Sequence, residues 1–179
     1  MGRKDRRYNL LFNFIRRNDS GKIEKKVRMM AKKKKTNWKK KALIEWSRII
    51  REVGICEICG RLGERGKSQG WTNLDAHHLI NKGASSEHCT SLSNGISLCK
   101  HCHQWSLELS PHQNRSGFEQ WLRINRPGQW EWYEENYPLD GEKKIGNEII
   151  KCRTVKKTPG LKMNWHQEYD RLKVIEVGV

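Results

Sequence analysis

The sequence predicts an α+β domain in which helices and a few short strands surround a site made of four cysteines. Three features predict this fold: two Cys-x-x-Cys pairs, an amphipathic segment at residues 42–53, and a strand-like run within residues 71–80. The 179 residues suffice for one domain with extensions. Because 35% of them are hydrophobic and 31% are charged, we expect a packed core over only part of the length.

The first helix is predicted over residues 42–53. Its apolar residues recur at spacings of three and four, so they share one face of a helix. Gly54 follows and is expected to end the helix, because glycine adopts the left-handed conformation that closes many helices. The residues of this apolar face are Leu43, Trp46, Ile49, Ile50 and Val53.

In the C-terminal third, the sequence predicts a second helix and contains three apolar patches. Ser116 and Glu119 have the spacing of a capping box, which places a helix over residues 117–125 that ends before Pro127-Gly128. An aromatic group follows, and we expect it to pack as a small satellite core in preference to stacking on bases. Residues 145–150 and 172–177 are candidate strands. The aromatic group is Trp130, Trp132, Tyr133 and Tyr137.

The net charge of +16 is concentrated at one end of the chain. Residues 1–41 contain 17 Lys and Arg against 3 Asp and Glu, which predicts a basic N-terminal arm. Such an arm favours a nucleic acid partner, because each phosphate that it neutralises releases counterions. A solubilising tail is the alternative, and a membrane surface is disfavoured because no clear apolar face accompanies the charges. The lysine blocks at 32–35 and 39–41 repel themselves, so we expect them to order only on a partner.

The compartment follows from the absence of export features in the sequence. The apolar run at 10–15 is too short for the core of a secretion signal, and no stretch approaches the length of a membrane span. We therefore expect a cytoplasmic protein in a reducing environment. Six cysteines in such a protein are predicted to be metal ligands or buried thiols, not disulfides.

Four of the cysteines form two pairs with the spacing of zinc ligands, at 56 and 59 and at 99 and 102. Each pair places two thiolates on one turn, and two pairs complete a tetrahedron. One alternative is that a pair is redox-active or that the spacing is coincidental. Another is covalent haem at residues 99–103, but that chemistry normally follows export and leaves the first pair unexplained. The remaining two, Cys89 and Cys152, are expected to be ordinary thiols.

Polar residues with metal and proton-transfer chemistry lie between these pairs. Adjacent strand residues point to opposite sides, so His77 and His78 are predicted to divide their roles. One would bind a metal while the other faces substrate as a base. His103 is predicted to start a helix that brings a second metal-binding nitrogen towards the strand. Three other histidines, His88, His112 and His166, are expected to be ordinary hydrogen-bonded residues.

The combination of these motifs resembles the HNH endonuclease family, particularly compact phage-type members whose ββα-metal motif (the His-Me finger) lies between two Cys-x-x-Cys pairs. The matching parts are Cys56 and Cys59, the run 74–80, the run 94–99, and Cys102-His103. The resemblance covers roughly residues 54–122. The order and spacing of the parts together are specific, although each part alone is weak evidence.

The resemblance implies roles for individual residues. His78 would be the general base, and Asn94 the central asparagine that holds the loop in place. His77 and His103 would bind a catalytic Mg²⁺ or Mn²⁺, or another divalent ion. Many family members have Asp at the position of His77, so Asp75, on the same strand face, is an alternative ligand. The four cysteines would hold a structural zinc remote from the chemistry.

The implied function is metal-dependent hydrolysis of phosphodiester bonds in double-stranded DNA, by a nick or a double-strand cut that leaves 5′-phosphate and 3′-hydroxyl ends. The predicted organisation is a basic arm at 1–41, an HNH nuclease domain at 42–125 and an accessory segment at 126–179. Homing, phage packaging or recombination, and restriction are all roles for such an enzyme, as monomer or homodimer. The alternatives are a non-catalytic zinc-ribbon DNA-binding module, which leaves the histidines unexplained, and an RNase.

Overall fold

A computed structural model describes residues 36–66, 70–146 and 148–175. Residues 37–179 form one compact unit. The predicted arm lies outside the described residues as far as residue 35.

Helices and small antiparallel sheets alternate along this unit, as the α+β prediction expects. The helices are α1 (Trp38–Arg51), α2 (Arg115–Asn125), α3 (Pro127–Asn136) and α4 (Trp165–Lys173). The strands pair in sequence order as three hairpins, β1 (Glu64–Gly66) with β2 (Gly70–Thr72), β3 (Leu74–His78) with β4 (Gly95–Cys99), and β5 (Gly141–Ile145) with β6 (Glu148–Cys152). None of the helices in the described ranges has the length and apolar character needed to cross a bilayer.

Helix α1 begins earlier than its apolar pattern predicts. Asn37 caps it, since its side-chain oxygen accepts a hydrogen bond from the backbone N–H of Lys40 at 3.0 Å. Residues 39–41 consequently lie in the first turns of a helix, and the expectation that they order only on a partner is wrong. Lys41 lies over the Trp38 ring at 4.6 Å, a cation–π contact that offsets part of the repulsion among the lysines. At the other end the chain turns at Gly54, whose φ is +75°.

Two clusters of buried residues hold the unit together. The larger cluster lies between the β3–β4 hairpin and helices α2 and α3, and its largest members include Phe118, Leu122 and Tyr133. The smaller cluster joins α1 to α4 through Ala42, Trp46, Ile49 and Leu172. Both clusters border the β3–β4 hairpin, because Ile96, which pairs with His77, belongs to the first and Ala76, on the opposite face, packs against the second. The β3–β4 hairpin is thus supported from two sides.

Helix α2 does not begin with the predicted capping box. Its cap is Asn114, whose side-chain oxygen accepts from the backbone N–H of Gly117 at 2.9 Å. Glu119 instead accepts hydrogen bonds from Arg115 at 2.9 Å and from the Tyr133 hydroxyl at 2.8 Å. The predicted box was wrong because Asn114 caps the helix instead, and the Glu119 carboxylate forms charge-assisted bonds with Arg115 of the same helix and with the distant Tyr133.

The predictions for the three apolar patches in the C-terminal third have different outcomes. Residues 145–150 contribute to the β5–β6 hairpin, whereas Leu172 and its neighbours belong to helix α4, so the second strand prediction was wrong. The helix prevails because one of its faces finds a partner in α1. Among the aromatic residues, Tyr133 is buried, and Trp130, Trp132 and Tyr137 pack against the same cluster. The prediction that this group packs as a core is confirmed.

Leu172 is predicted to contribute strongly to stability. It is completely buried between α1 and α4, so the change Leu172→Ala should lower the free energy of unfolding by about 2–5 kcal/mol through lost burial and a cavity. Chemical denaturation measures the effect. Val174→Ala is the control, since that side chain is 77% exposed and its removal should change stability by less than about 0.5 kcal/mol. Equal stabilities for the two variants would show that α4 does not pack on α1.

Candidate metal centres

The β3–β4 hairpin positions both groups of candidate ligands. In its antiparallel register Leu74 pairs with Cys99, and His78 pairs with Gly95. Alternation along β3 places Asp75 and His77 on one side and His78 on the other. Strand β4 ends at Cys99, the first residue of the second cysteine pair.

The four paired cysteines converge in space. The sulfurs of Cys56, Cys59, Cys99 and Cys102 all lie within 4.8 Å of one another. The sulfurs of Cys59 and Cys99 are 3.8 Å apart. Two sulfurs bound to one zinc at about 2.3 Å lie about 3.8 Å apart in a regular tetrahedron. The arrangement is therefore one that could hold a metal ion such as zinc.

The ionisation of these thiols indicates why a cation suits the cluster. Burial raises the pKa of Cys102, and the neighbouring Cys59 and Cys56 raise it further. Burial also raises the pKa of Cys59. Several thiolates crowded into one partly buried site repel each other, so their joint ionisation requires a bound positive charge.

The other two cysteines stand apart from this cluster. Cys89 is buried, and its thiol donates a hydrogen bond to the carbonyl oxygen of Ser86 at 3.1 Å. Cys152 ends strand β6. Neither belongs to the four-sulfur group, which agrees with their expected role as ordinary thiols.

A second group of converging ligands contains three histidines. Ring nitrogens of His77, His103 and His112 lie within 4.8 Å of one another. Nδ1 of His77 and Nε2 of His112 are each 3.1 Å from Nε2 of His103. Two nitrogens that bind one ion at about 2.0–2.1 Å lie about 3.0–3.4 Å apart for common coordination angles. These side chains could likewise hold a metal ion.

Asp75 orients His103. The Nδ1 atom of His103 donates to the Asp75 carboxylate at 2.9 Å, so its Nε2 lone pair faces the other two histidines. A carboxylate behind a metal-binding imidazole fixes its tautomer and increases its basicity. Asp75, the alternative ligand from the sequence, therefore lies behind His103 and outside the three-nitrogen group.

The surroundings favour the neutral form of two of these imidazoles, those of His77 and His112. Burial lowers the pKa of His77 to about 2, and the nearby His103 and His112 act in the same direction. The pKa of His112 is lowered by burial, then by His103 and Arg115. Neutral imidazoles have the free lone pairs that metal binding requires. The remaining nitrogen of His77, Nε2, is buried without a partner among the described residues, a cost typical of functional sites.

His112 was missed by sequence reasoning, which treated it as an ordinary residue. His103 does not start a long helix but lies in a single wide turn, His101–Trp105. The chain then folds back, held by the Ser110 hydroxyl, which donates to the carbonyl oxygen of His103 at 2.8 Å. The backbone N–H of His112 donates to the same hydroxyl at 3.1 Å. No periodic spacing marks such a return, so the sequence contained no signal for it.

His78 points away from the three-histidine group towards helix α1. Its ring stacks on Trp46, with centroids 3.8 Å apart, and its Nε2 donates to the carbonyl oxygen of Cys89 at 2.9 Å. Trp46 is itself fixed, since its indole N–H donates to Ser91 at 2.8 Å. Burial lowers the pKa of His78, and Lys82 lowers it further. The imidazole is therefore neutral near pH 7, with Nδ1 available to accept a proton.

Asn94 is completely buried and joins two segments around the hairpin. Its side-chain oxygen accepts from the backbone N–H of Ile80 at 2.6 Å. Its amide donates to the carbonyl oxygens of Ile80 at 3.0 Å and His88 at 2.9 Å. The side chain thus holds the chain after β3 in place and acts through position.

The remaining histidines that were expected to be ordinary lie outside both centres. His88 is buried and hydrogen-bonds the carbonyl oxygen of Lys156 at 2.8 Å. His166 is exposed and packs on the Trp38 ring at 4.1 Å. Both interactions are those of structural side chains.

Comparisons of the chain with protein-family models, with curated proteins and with solved structures found no significant match. The chemistry of the two centres is accordingly the basis for inferring what the protein does.

Proposed function

We propose that the protein is a metal-dependent endonuclease of the HNH type that hydrolyses phosphodiester bonds in double-stranded DNA. The observation that carries this proposal is that the rings of His103 and His112 converge on His77, which lies on β3 next to His78. A zinc-binding module alone needs none of these imidazoles. Strands β3 and β4 with the turn at His103 would form the ββα-metal core, with its helix reduced to one turn.

The three-nitrogen group suits some divalent ions better than others. Imidazole ligands suit Zn²⁺, Ni²⁺ and Co²⁺, and they tolerate Mn²⁺, whereas Mg²⁺ prefers oxygen ligands. A bound ion would stabilise the charge that develops on the phosphate and on the leaving 3′ oxygen. We therefore expect Mn²⁺, Co²⁺ or Ni²⁺ to support cleavage better than Mg²⁺.

His78 would act as the general base. Its bond to the Cys89 carbonyl and its stack on Trp46 hold the ring in one orientation. Nδ1 is then free to accept a proton from the attacking water. Asn94 would support this geometry, because it fixes the segment that follows His78.

A plasmid cleavage assay tests the proposal. Wild-type protein is incubated with supercoiled plasmid and with each divalent ion in turn, with and without excess chelator. We expect nicked or linear product that depends on the ion. An RNA duplex of matching sequence tests the RNase alternative. Binding without cleavage under every ion would favour a zinc-ribbon DNA-binding module. The absence of both binding and cleavage would reject a DNA function.

A further inference from the structure

We propose that a basic groove along helix α1 binds the phosphate backbone of duplex DNA and leads it to His78; this inference rests on the proposed function. The groove has a volume of about 770 Å³. Five basic side chains line it, and they come from both ends of α1 and from the loop after β3: Lys39, Lys40, Arg48, Arg51 and Lys82.

The charge of this groove is strongly one-sided. Glu45 is its only acidic lining residue in the described part of the chain, and Arg48 already pairs with it at 2.8 Å. Lys40 and Lys82 are exposed and form no ion pair with described residues, so both remain available for a polyanion. Arg51 donates to the carbonyl oxygen of Trp71 at 2.7 Å, which fixes one end of the groove.

The groove lies beside the proposed base. Lys82, which lines the groove, follows His78 by only four residues in the chain. The His78 ring stacks on Trp46 of α1, and the neighbours of Trp46 in the sequence, Glu45 and Ser47, also line the groove.

The length of α1 and the distribution of charge over the fold favour a DNA duplex. From Lys40 to Arg51 the helix advances about 16 Å, the length of about five base pairs. The lysine block at 32–35 precedes α1 directly in the sequence, so the positive charge continues along the chain. Helix α3, by contrast, carries Glu131, Glu134 and Glu135 and no basic residue within its bounds, so it would repel a phosphate backbone.

The test compares two double variants. Lys40→Ala with Lys82→Ala removes two exposed groove lysines that form no ion pair with described residues, whereas Lys143→Ala with Lys144→Ala removes two exposed lysines from strand β5. Binding to a fluorescein-labelled 20-bp duplex is measured by anisotropy over a salt series, without added divalent ion. The groove variant should bind the duplex about tenfold more weakly at 0.1 M salt. The slope of log binding constant against log salt concentration should become shallower, its magnitude smaller by about 1.8 than in wild type. The β5 variant should match wild type.

The outcomes separate this inference from the proposed function. Equal affinities and slopes for the two double variants would overturn the groove, even if wild type cuts DNA. A selective loss in the groove variant without cleavage by wild type would support the groove and reject the catalysis. A wild type that does not bind duplex DNA would overturn both.

Discussion

Replacing Cys99 with alanine is expected to abolish zinc binding and the cooperative unfolding transition. A structural zinc site contributes about 10–16 kcal/mol of apparent binding free energy, which is comparable to the whole stability of a small domain. Cys99 is the last residue of β4 and lies 3.8 Å, sulfur to sulfur, from Cys59. Its loss would detach the hairpin from the first cysteine pair and leave three thiols without a stable ion.

Elemental analysis and differential scanning calorimetry measure the result. Wild type should contain about one tightly held zinc per chain when purified without other metals, and the Cys99→Ala variant should contain much less. Cys152→Ala is the matched control, because that cysteine lies outside the four-sulfur group and should keep both zinc and transition. If wild type contains no zinc and the Cys99→Ala variant melts at the same temperature, the structural zinc site does not exist.

Replacing His78 with alanine should lower the cleavage rate by about 10²- to 10⁴-fold, the usual contribution of a general base. The affinity for DNA should change little, because His78 is half-buried, stacks on Trp46 and does not line the groove. Single-turnover cleavage with Mn²⁺ measures the rate, and circular dichroism verifies that the variant folds.

Two further variants serve as controls for the His78→Ala result. His101→Ala removes an exposed histidine that belongs to neither centre, so its rate should equal that of wild type. His112→Ala removes a proposed ligand, so its rate should recover in part as the metal concentration rises. The rate of His78→Ala should not recover. Cleavage by His78→Ala at the wild-type rate would reject its assignment as the base.

The sequence by itself determined the features that depend on neighbouring residues. The Cys-x-x-Cys spacing placed two thiols on each turn, and the structure confirms that the two pairs meet. The apolar stripe of α1 identified Trp46 and Ile49 as buried. The alternation along β3 separated His77 from His78, because successive strand residues face opposite sides whatever the rest of the fold does.

Only the tertiary structure decided the features that depend on distant segments. His112 reaches His103 through a return of the chain, and Asp75 lies behind His103. Glu119 accepts hydrogen bonds from the distant side chains of Tyr133 and Arg153. Within the described range, residues 172–175 pair with no strand, and Leu172 is part of a helix whose apolar face packs on α1. The physical reason is common to all of these. Hydrogen-bond and packing partners far apart in sequence outweigh weak local preferences, and no local spacing encodes which partners will meet.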